Sequence, residues 1–198
     1  MNRVFFLPGA GGSPDFWKPV AGRLPADWSQ KHFGWPGLGH QPHDPSICSM
    51  DDLVDMVGRH VDGPVDLVAQ SMGGIVAMRL ALAHPGRVRR LVLCVTSGGI
   101  DMGGFGVSDW RPAYRQSYPN AVDWITAERS AAALPVEQVT APTLLIWGDA
   151  DPISPLAVGR HLQGCMPNAH LHVVAGGDHD LAVTHAEQVA SRIIAHLA

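Results

Sequence analysis

Cysteine is scarce in this chain. There are three among 198 residues, Cys48, Cys94 and Cys165, widely spaced and with no C-x-x-C between them. An odd count without paired spacing argues against a disulfide framework, and a chain of this length can bury a sizeable apolar core without one. Basic charge is also sparse: Lys plus Arg is 14 against 18 for Asp plus Glu, a formal net charge of -4. The one basic cluster, Arg87, Arg89 and Arg90, sits just ahead of an apolar run and reads as solvated strand-edge positions, so no nucleic-acid partner is expected. Long apolar runs are missing too. Val4 to Leu7 is too short for a signal-peptide core or a membrane span, so a cytoplasmic protein with no membrane span is expected. No repeat, low-complexity tract or linker interrupts the chain, and residues 1–198 read as a single domain.

What is present is a rhythm of short apolar runs and helical patterns. Val4–Leu7, Trp28–Phe33, Val65–Ala69, Leu91–Val95, Thr143–Trp147 and Leu171–Val174 read as strands. Helices are expected over Phe16–Leu24 (with Ser13 or Asp15 as cap), Met50–His60 (after a Ser49 cap), Gly73–His84 (ended by Pro85), Ser154–Leu162 and Thr184–Leu197. Most of the runs are uniformly apolar, which means strands covered on both faces. Helices between strands then imply an α/β fold with a doubly covered, mostly parallel sheet of about six strands. One stretch, residues 97–140, breaks the rhythm. It is Gly-rich and then helical in pattern, with the helix placed at 121–134, and reads as a short cap-like excursion from the sheet.

One junction stands out. In "VDLVAQSMGG" an apolar strand stops at Gln70-Ser71, two glycines follow, and a helix begins. A serine there is either a capping turn residue or a nucleophile lifted above the sheet edge. The pattern approaches G-x-S-x-G, with Ala69 in the first glycine's place, and the residues two before and two after must be small because strand and helix come close. Met72, at the helix start, can offer its backbone N–H to a developing oxyanion. A serine hydroxyl needs a base. Among 11 histidines, His179 lies in the loop between the last strand and the last helix, the carboxyl end of a strand, where parallel sheets place their chemistry. Asp149 and Asp151 follow another buried strand; one is expected to orient His179 and the other to cap the turn. The order serine, aspartate, histidine is that of α/β hydrolases. The loop "LPGAGGS" after the first strand is the expected source of a second oxyanion donor. It is neither G-x-G-x-x-G nor followed by Gly-Lys-Ser/Thr, so no nucleotide site is expected. His40, His43 and Asp44 share a polar loop without metal-ligand spacing, and no metal is expected.

These motifs together resemble the α/β-hydrolase superfamily over nearly the whole chain, as a small, nearly lidless, serine-esterase-like member. Pro8-Gly9-Ala10 matches the family's oxyanion-loop motif with Pro8 where histidine is usual, and the resemblance gives Ala10 the oxyanion N–H. Gly148-Asp149-Ala150-Asp151 matches the acid motif and selects Asp151, while Gly177-Asp178-His179 matches the histidine motif. The resemblance further implies that the family core's first two strands are absent and its cap reduced.

The expected activity is hydrolysis of a small carboxylic ester through an acyl-enzyme on Ser71, with His179 as base, Asp151 as its orienting acid, and no cofactor. The same triad serves thioesterases, lactonases and peptidases, and a hydrolase shell can also serve as a ligand-binding protein. Trp17, Trp110, Tyr114, Tyr118 and Trp124 are candidates either for a substrate pocket or for packing the excursion onto the sheet.

Overall fold

The computed structural model describes residues 2–127 and 133–198. All six expected strands are present: β1 (Arg3–Leu7), β2 (Ser29–His32), β3 (Val65–Gln70), β4 (Val88–Cys94), β5 (Thr143–Gly148) and β6 (Ala169–Val174). They form one sheet in the order β2-β1-β3-β4-β5-β6, with every neighbouring pair parallel. β3 and β5 are buried along their whole length, including Asp66 and Gln70 of β3, whereas the edge strands β2 and β6 carry exposed residues. Among the described residues the sheet thus has the six parallel strands that the resemblance to a reduced α/β-hydrolase core leads one to expect.

Seven α-helices lie among the described residues: α1 (Lys18–Ala21), α2 (Met50–Gly58), α3 (Met72–Ala83), α4 (Arg111–Ser117), α5 (Leu156–Cys165), α6 (Leu181–Thr184) and α7 (Ala186–Leu197). α2 starts where Ser49 Oγ accepts the Asp52 N–H, the expected cap. α1 is shorter than expected because the flanking segments close into four-residue turns, such as Phe16 N–H to Ser13 O and Arg23 N–H to Val20 O. α1 packs with α6 and α7, α2 packs with α3, and α5 lies on β5 and β6.

The excursion departs from expectation. Its helix is α4, at 111–117, with Pro112 in the first turn. Within 121–134 the described residues hold only a 3₁₀ turn, Asp123–Ile125, and residues 128–132 of the expected helix lie outside the described residues. Backbone groups there are committed elsewhere: Val122 N–H bonds Gly37 O, and the Arg115 guanidinium donates to Thr126 O and Oγ1.

The basic cluster closes the amino end of the sheet. Arg89 holds the fully buried Asp66 of the neighbouring strand, Arg87 bonds Val61 O and Arg90 bonds Ala198 O. No described helix is long and apolar enough to cross a membrane.

The strand order places the chemistry. β2 lies on one side of β1 and β3 on the other, so the winding reverses between β1 and β3. The loops leaving the carboxyl ends of these two strands flank a crevice, the switch point at which such sheets bind ligands. Those loops are Pro8–Gly12 and the Ser71 junction.

Candidate active site

Ser71 sits between β3 and α3 with φ 51° and ψ -121°, a conformation that costs a non-glycine residue about 1–3 kcal/mol. The surroundings hold it there. Its N–H donates to Cys94 O at 2.9 Å, and its carbonyl accepts from Gly74 N–H at 2.9 Å and from Thr96 Oγ at 2.6 Å. Val95, also at positive φ (43°), turns the chain after β4 and delivers Thr96 to that carbonyl. The demand for small flanking residues is met. Ala69 is fully buried, and a Cβ on Gly73 would lie 2.4 Å from Pro8 O, so α3 begins directly against the loop after β1. Thr96 was missed by sequence reasoning; its signal was a polar residue closing an apolar strand.

His179 and Asp151 complete a chain of contacts. His179 Nε2 lies 2.9 Å from Ser71 Oγ, and Nδ1 lies 2.8 Å from Asp151 Oδ2. In the tautomer with hydrogen on Nδ1, that nitrogen donates to Asp151 and Nε2 accepts the serine proton. The Asp151 side chain is fully buried, and its other oxygen accepts the N–H groups of Ile153 (2.7 Å) and Ser154 (3.1 Å), so the carboxylate cannot turn away. Asp149 has the other role: it is exposed and accepts Gly176 N–H at 2.7 Å, capping the turn after β6. The acid and histidine loops are stitched together by Ala150 N–H to Gly177 O at 3.0 Å, an approach so close that a Cβ on Gly148 would sit 1.9 Å from Gly177 O. The His179 side chain stays 19% exposed, so solvent reaches the triad. Gln70 braces the histidine loop by donating to His179 O at 3.1 Å. His185 points elsewhere, to Thr184 Oγ1 at 2.9 Å. Burial pushes the Cys94 thiol well above its usual range, which removes this neighbour of the elbow as a rival nucleophile.

The loop after β1 is a turn held from outside. Trp17 Nε1 donates to Leu7 O (3.0 Å), Trp35 Nε1 to Pro8 O (2.8 Å), Gly12 N–H to Gly9 O (3.0 Å) and Tyr114 Oη to Ala10 O (2.9 Å). Among the described residues the N–H groups of Ala10 and Met72 have no protein acceptor. Trp35 was also missed; it lies in "GWPGLG", which the sequence marks only as irregular.

Of the five candidate pocket residues, Trp110, Tyr114 and Tyr118 pack in series along α4 and its end, with ring centroids 5.4 and 4.9 Å apart. Trp17 is buried in the core against Phe6 and Phe16, and its indole bonds the carbonyl of Leu7. Tyr114 is buried and bonded to the loop, which pushes its phenol above the usual value through desolvation. Trp110 is half-buried, edge-on to Tyr114 at 5.4 Å, and Trp124 is half-buried against the core.

The chain is similar in sequence and in fold to known proteins. Pimeloyl-[acyl-carrier protein] methyl ester esterase of Neisseria meningitidis serogroup C is 24% identical over 235 aligned positions, covering 96% of this chain and 91% of that one. 2-Hydroxymuconate semialdehyde hydrolase of Pseudomonas putida is 30% identical over 171 positions, covering 63% of this chain and 59% of that one. Among solved structures, the meta-cleavage product hydrolase of Pseudomonas fluorescens IP01 superposes with a TM-score of 0.80 at 18% identity, covering 99% and 90% of the two chains. A thermophilic esterase from Thermogutta terrifontis does so at 0.77 and 22%, covering 98% and 88%. The alpha/beta hydrolase family itself matches residues 4–192, nearly the whole length, and this chain belongs to it.

Proposed function

We propose that this protein hydrolyses small carboxylic esters through an acyl-enzyme on Ser71. The observation that carries the reading is the unbroken contact from Ser71 Oγ through His179 to the buried Asp151 carboxylate, at 2.9 and 2.8 Å. His179 takes the serine proton as Oγ attacks the ester carbonyl, and Asp151 stabilises the imidazolium that forms. The N–H groups of Ala10 and Met72 receive the oxyanion, the latter aided by the positive end of α3. Collapse of the tetrahedral intermediate expels the alcohol, which takes the proton from His179. Water then attacks the acyl-enzyme with His179 again as base, releasing the acid and restoring Ser71.

An ester is favoured over other acyl substrates because the Neisseria relative, similar across nearly all of both chains, is a methyl ester esterase. We take residues 97–140 as a reduced cap within one domain, which suits small or aromatic esters, with Trp110 and Trp124 as candidates for its pocket. A cytoplasmic location is supported by three free thiols, Cys48, Cys94 and Cys165.

A fluorophosphonate probe followed by peptide mass analysis tests the assignment. The adduct is expected on Ser71, together with turnover of short aryl or methyl esters in excess of matched thioesters and lactones. Labelling of another serine with Ser71 untouched overturns the nucleophile, and a preference for thioesters or lactones overturns the substrate class.

A further inference from the structure

Among the described residues, Ser71 and Val95 are the two besides glycine that carry positive φ, at 51° and 43°. Gln70 pairs with Cys94, so Ser71 and Val95 follow directly on the paired ends of β3 and β4. Past Val95 the fully buried Thr96 donates its hydroxyl to the Ser71 carbonyl at 2.6 Å. We infer that Thr96 is a positioning residue for the oxyanion donor, fixing the Ser71–Met72 peptide so that the Met72 N–H faces the reacting carbonyl; this rests on the proposed esterase mechanism.

The Ser71 carbonyl and the Met72 N–H belong to one peptide. That peptide is trans, so the two point in opposite directions, and whatever holds the carbonyl aims the amide. Two donors hold it. Gly74 N–H, at 2.9 Å, belongs to the first turn of α3 and ties the carbonyl only to the helix that it starts. Thr96 ties it to the sheet. The end of β4 thus grips Ser71 from both sides: Cys94 O takes its N–H at 2.9 Å, and Thr96 gives to its carbonyl. Without Thr96, Ser71 is free to relax from its strained ψ of -121°, and the Met72 amide turns with it.

The surroundings are built for this bond. Gly98 N–H donates to Thr96 Oγ1 at 3.0 Å, which leaves the hydroxyl proton for Ser71. Gly74 makes room, since a Cβ there would lie 2.4 Å from the same oxygen. Val95 is β-branched, a residue type for which positive φ is an outlier, and its strained turn is what brings Thr96 to the elbow. A carbonyl that accepts two hydrogen bonds also polarises its own amide, which strengthens the Met72 N–H as a donor.

The test uses the full-length enzyme and the Thr96→Val variant, which keeps the side chain's shape and removes the donor. Removing an oxyanion donor outright costs about a hundred- to a thousandfold. Loosening one is expected to cost about tenfold in kcat with KM within about twofold, an order of magnitude below direct removal. Affinity for a trifluoromethyl ketone, whose adduct with Ser71 carries an oxyanion, should fall by the same factor. Thr96→Ser restores the hydroxyl and should recover most of both. Should the valine methyl crowd the carbonyl and prevent folding, Thr96→Ala removes the donor without crowding and should show the same losses. Folded donor-less variants with kcat and ketone affinity within about twofold of wild type overturn the inference. So does a rise in KM with kcat unchanged, which would make Thr96 a binding residue. A serine variant as impaired as the valine one would show that the methyl matters and not the bond, and failure of both the valine and the alanine variants to fold would make Thr96 a residue of the fold alone; either result overturns the inference. A wild type that reacts with no fluorophosphonate and cleaves no ester instead removes the mechanism on which the inference stands, and the inference with it.

Discussion

Replacing Asp151 by asparagine should remove almost all activity while leaving the fold intact. The carboxylate makes three contacts: Oδ1 accepts the N–H groups of Ile153 and Ser154, and Oδ2 meets His179 Nδ1 at 2.8 Å. An asparagine side chain has one oxygen. If that oxygen keeps the two backbone donors, the NH₂ group faces Nδ1 and can only donate to it. The imidazole must then carry its hydrogen on Nε2, the nitrogen 2.9 Å from Ser71 Oγ, and can no longer accept the serine proton. A triad locked in the wrong tautomer in this way loses about ten-thousand-fold in rate, or about 5.5 kcal/mol of transition-state stabilisation. Because the backbone donors keep their acceptor, the melting temperature should move little. Asp149→Asn is the paired control. Its exposed carboxylate only accepts Gly176 N–H, which an amide oxygen also does, so kcat/KM should stay within about threefold. The assay is steady-state hydrolysis of an activated aryl ester by both variants, with circular dichroism and thermal melts alongside. Comparable losses in the two variants, or the larger loss at Asp149, would refute the assignment of roles.

Gly73→Ala should lower both stability and activity: its methyl would lie 2.4 Å from Pro8 O and 2.7 Å from Leu7 O, backbone that cannot yield cheaply. Overpacking of this kind costs about 2 kcal/mol, or roughly 4–8 °C in Tm for a chain of this size, and an unchanged melt with full activity would show that α3 does not press on the loop. Stability should also fall as pH drops below about 6.5, because burial holds His32, His172 and His196 below that ordinary value. The unfolded chain takes up protons that the folded one refuses, so Tm should decline from pH 7.5 to 5.5, and a flat profile over that range would contradict it.

How far the sequence could be read depended on whether the deciding force was local. The strands and most helices were legible because each is written in consecutive residues: the apolar runs within β3 and β5, the Ser49 cap of α2, the Pro85 stop after α3. The triad was legible in part. Serine and histidine are fixed by their places between elements, but the choice between Asp149 and Asp151 turns on which carboxylate finds backbone donors two and three residues ahead and which reaches across to Gly176. What the sequence hid was long-range. Trp35 lies 27 positions from the carbonyl it serves and Tyr114 lies 104 from its own, and no periodicity reports such pairs. The excursion misled for a related reason. Within 121–127, where a helix is expected, contacts to Gly37 and Arg115 claim backbone groups of Val122 and Thr126, while α4 starts beside Pro112 after a Gly-rich segment.

Those hidden contacts bear on one departure in the motif, the proline at position 8 where the family resemblance leads one to expect histidine. A side chain is lost there that could have steadied the loop, and proline contributes no N–H. Yet the carbonyls of Leu7, Pro8, Gly9 and Ala10 each have a donor, drawn in turn from Trp17, Trp35, Gly12 and Tyr114. In a trans peptide the carbonyl and the next residue's N–H point in opposite directions. Anchoring carbonyls from behind therefore turns amides forward, and the Gly9 carbonyl held by Gly12 is the partner of the Ala10 N–H proposed to meet the oxyanion. Donors fixed in advance cost no reorganisation when charge develops, which is the condition for electrostatic catalysis. Rigidity of the loop thus need not come from residue 8; three aromatic side chains supplied by the core, the neighbouring loop and the excursion can provide it, and Tyr114 is the only one of the three that the excursion contributes.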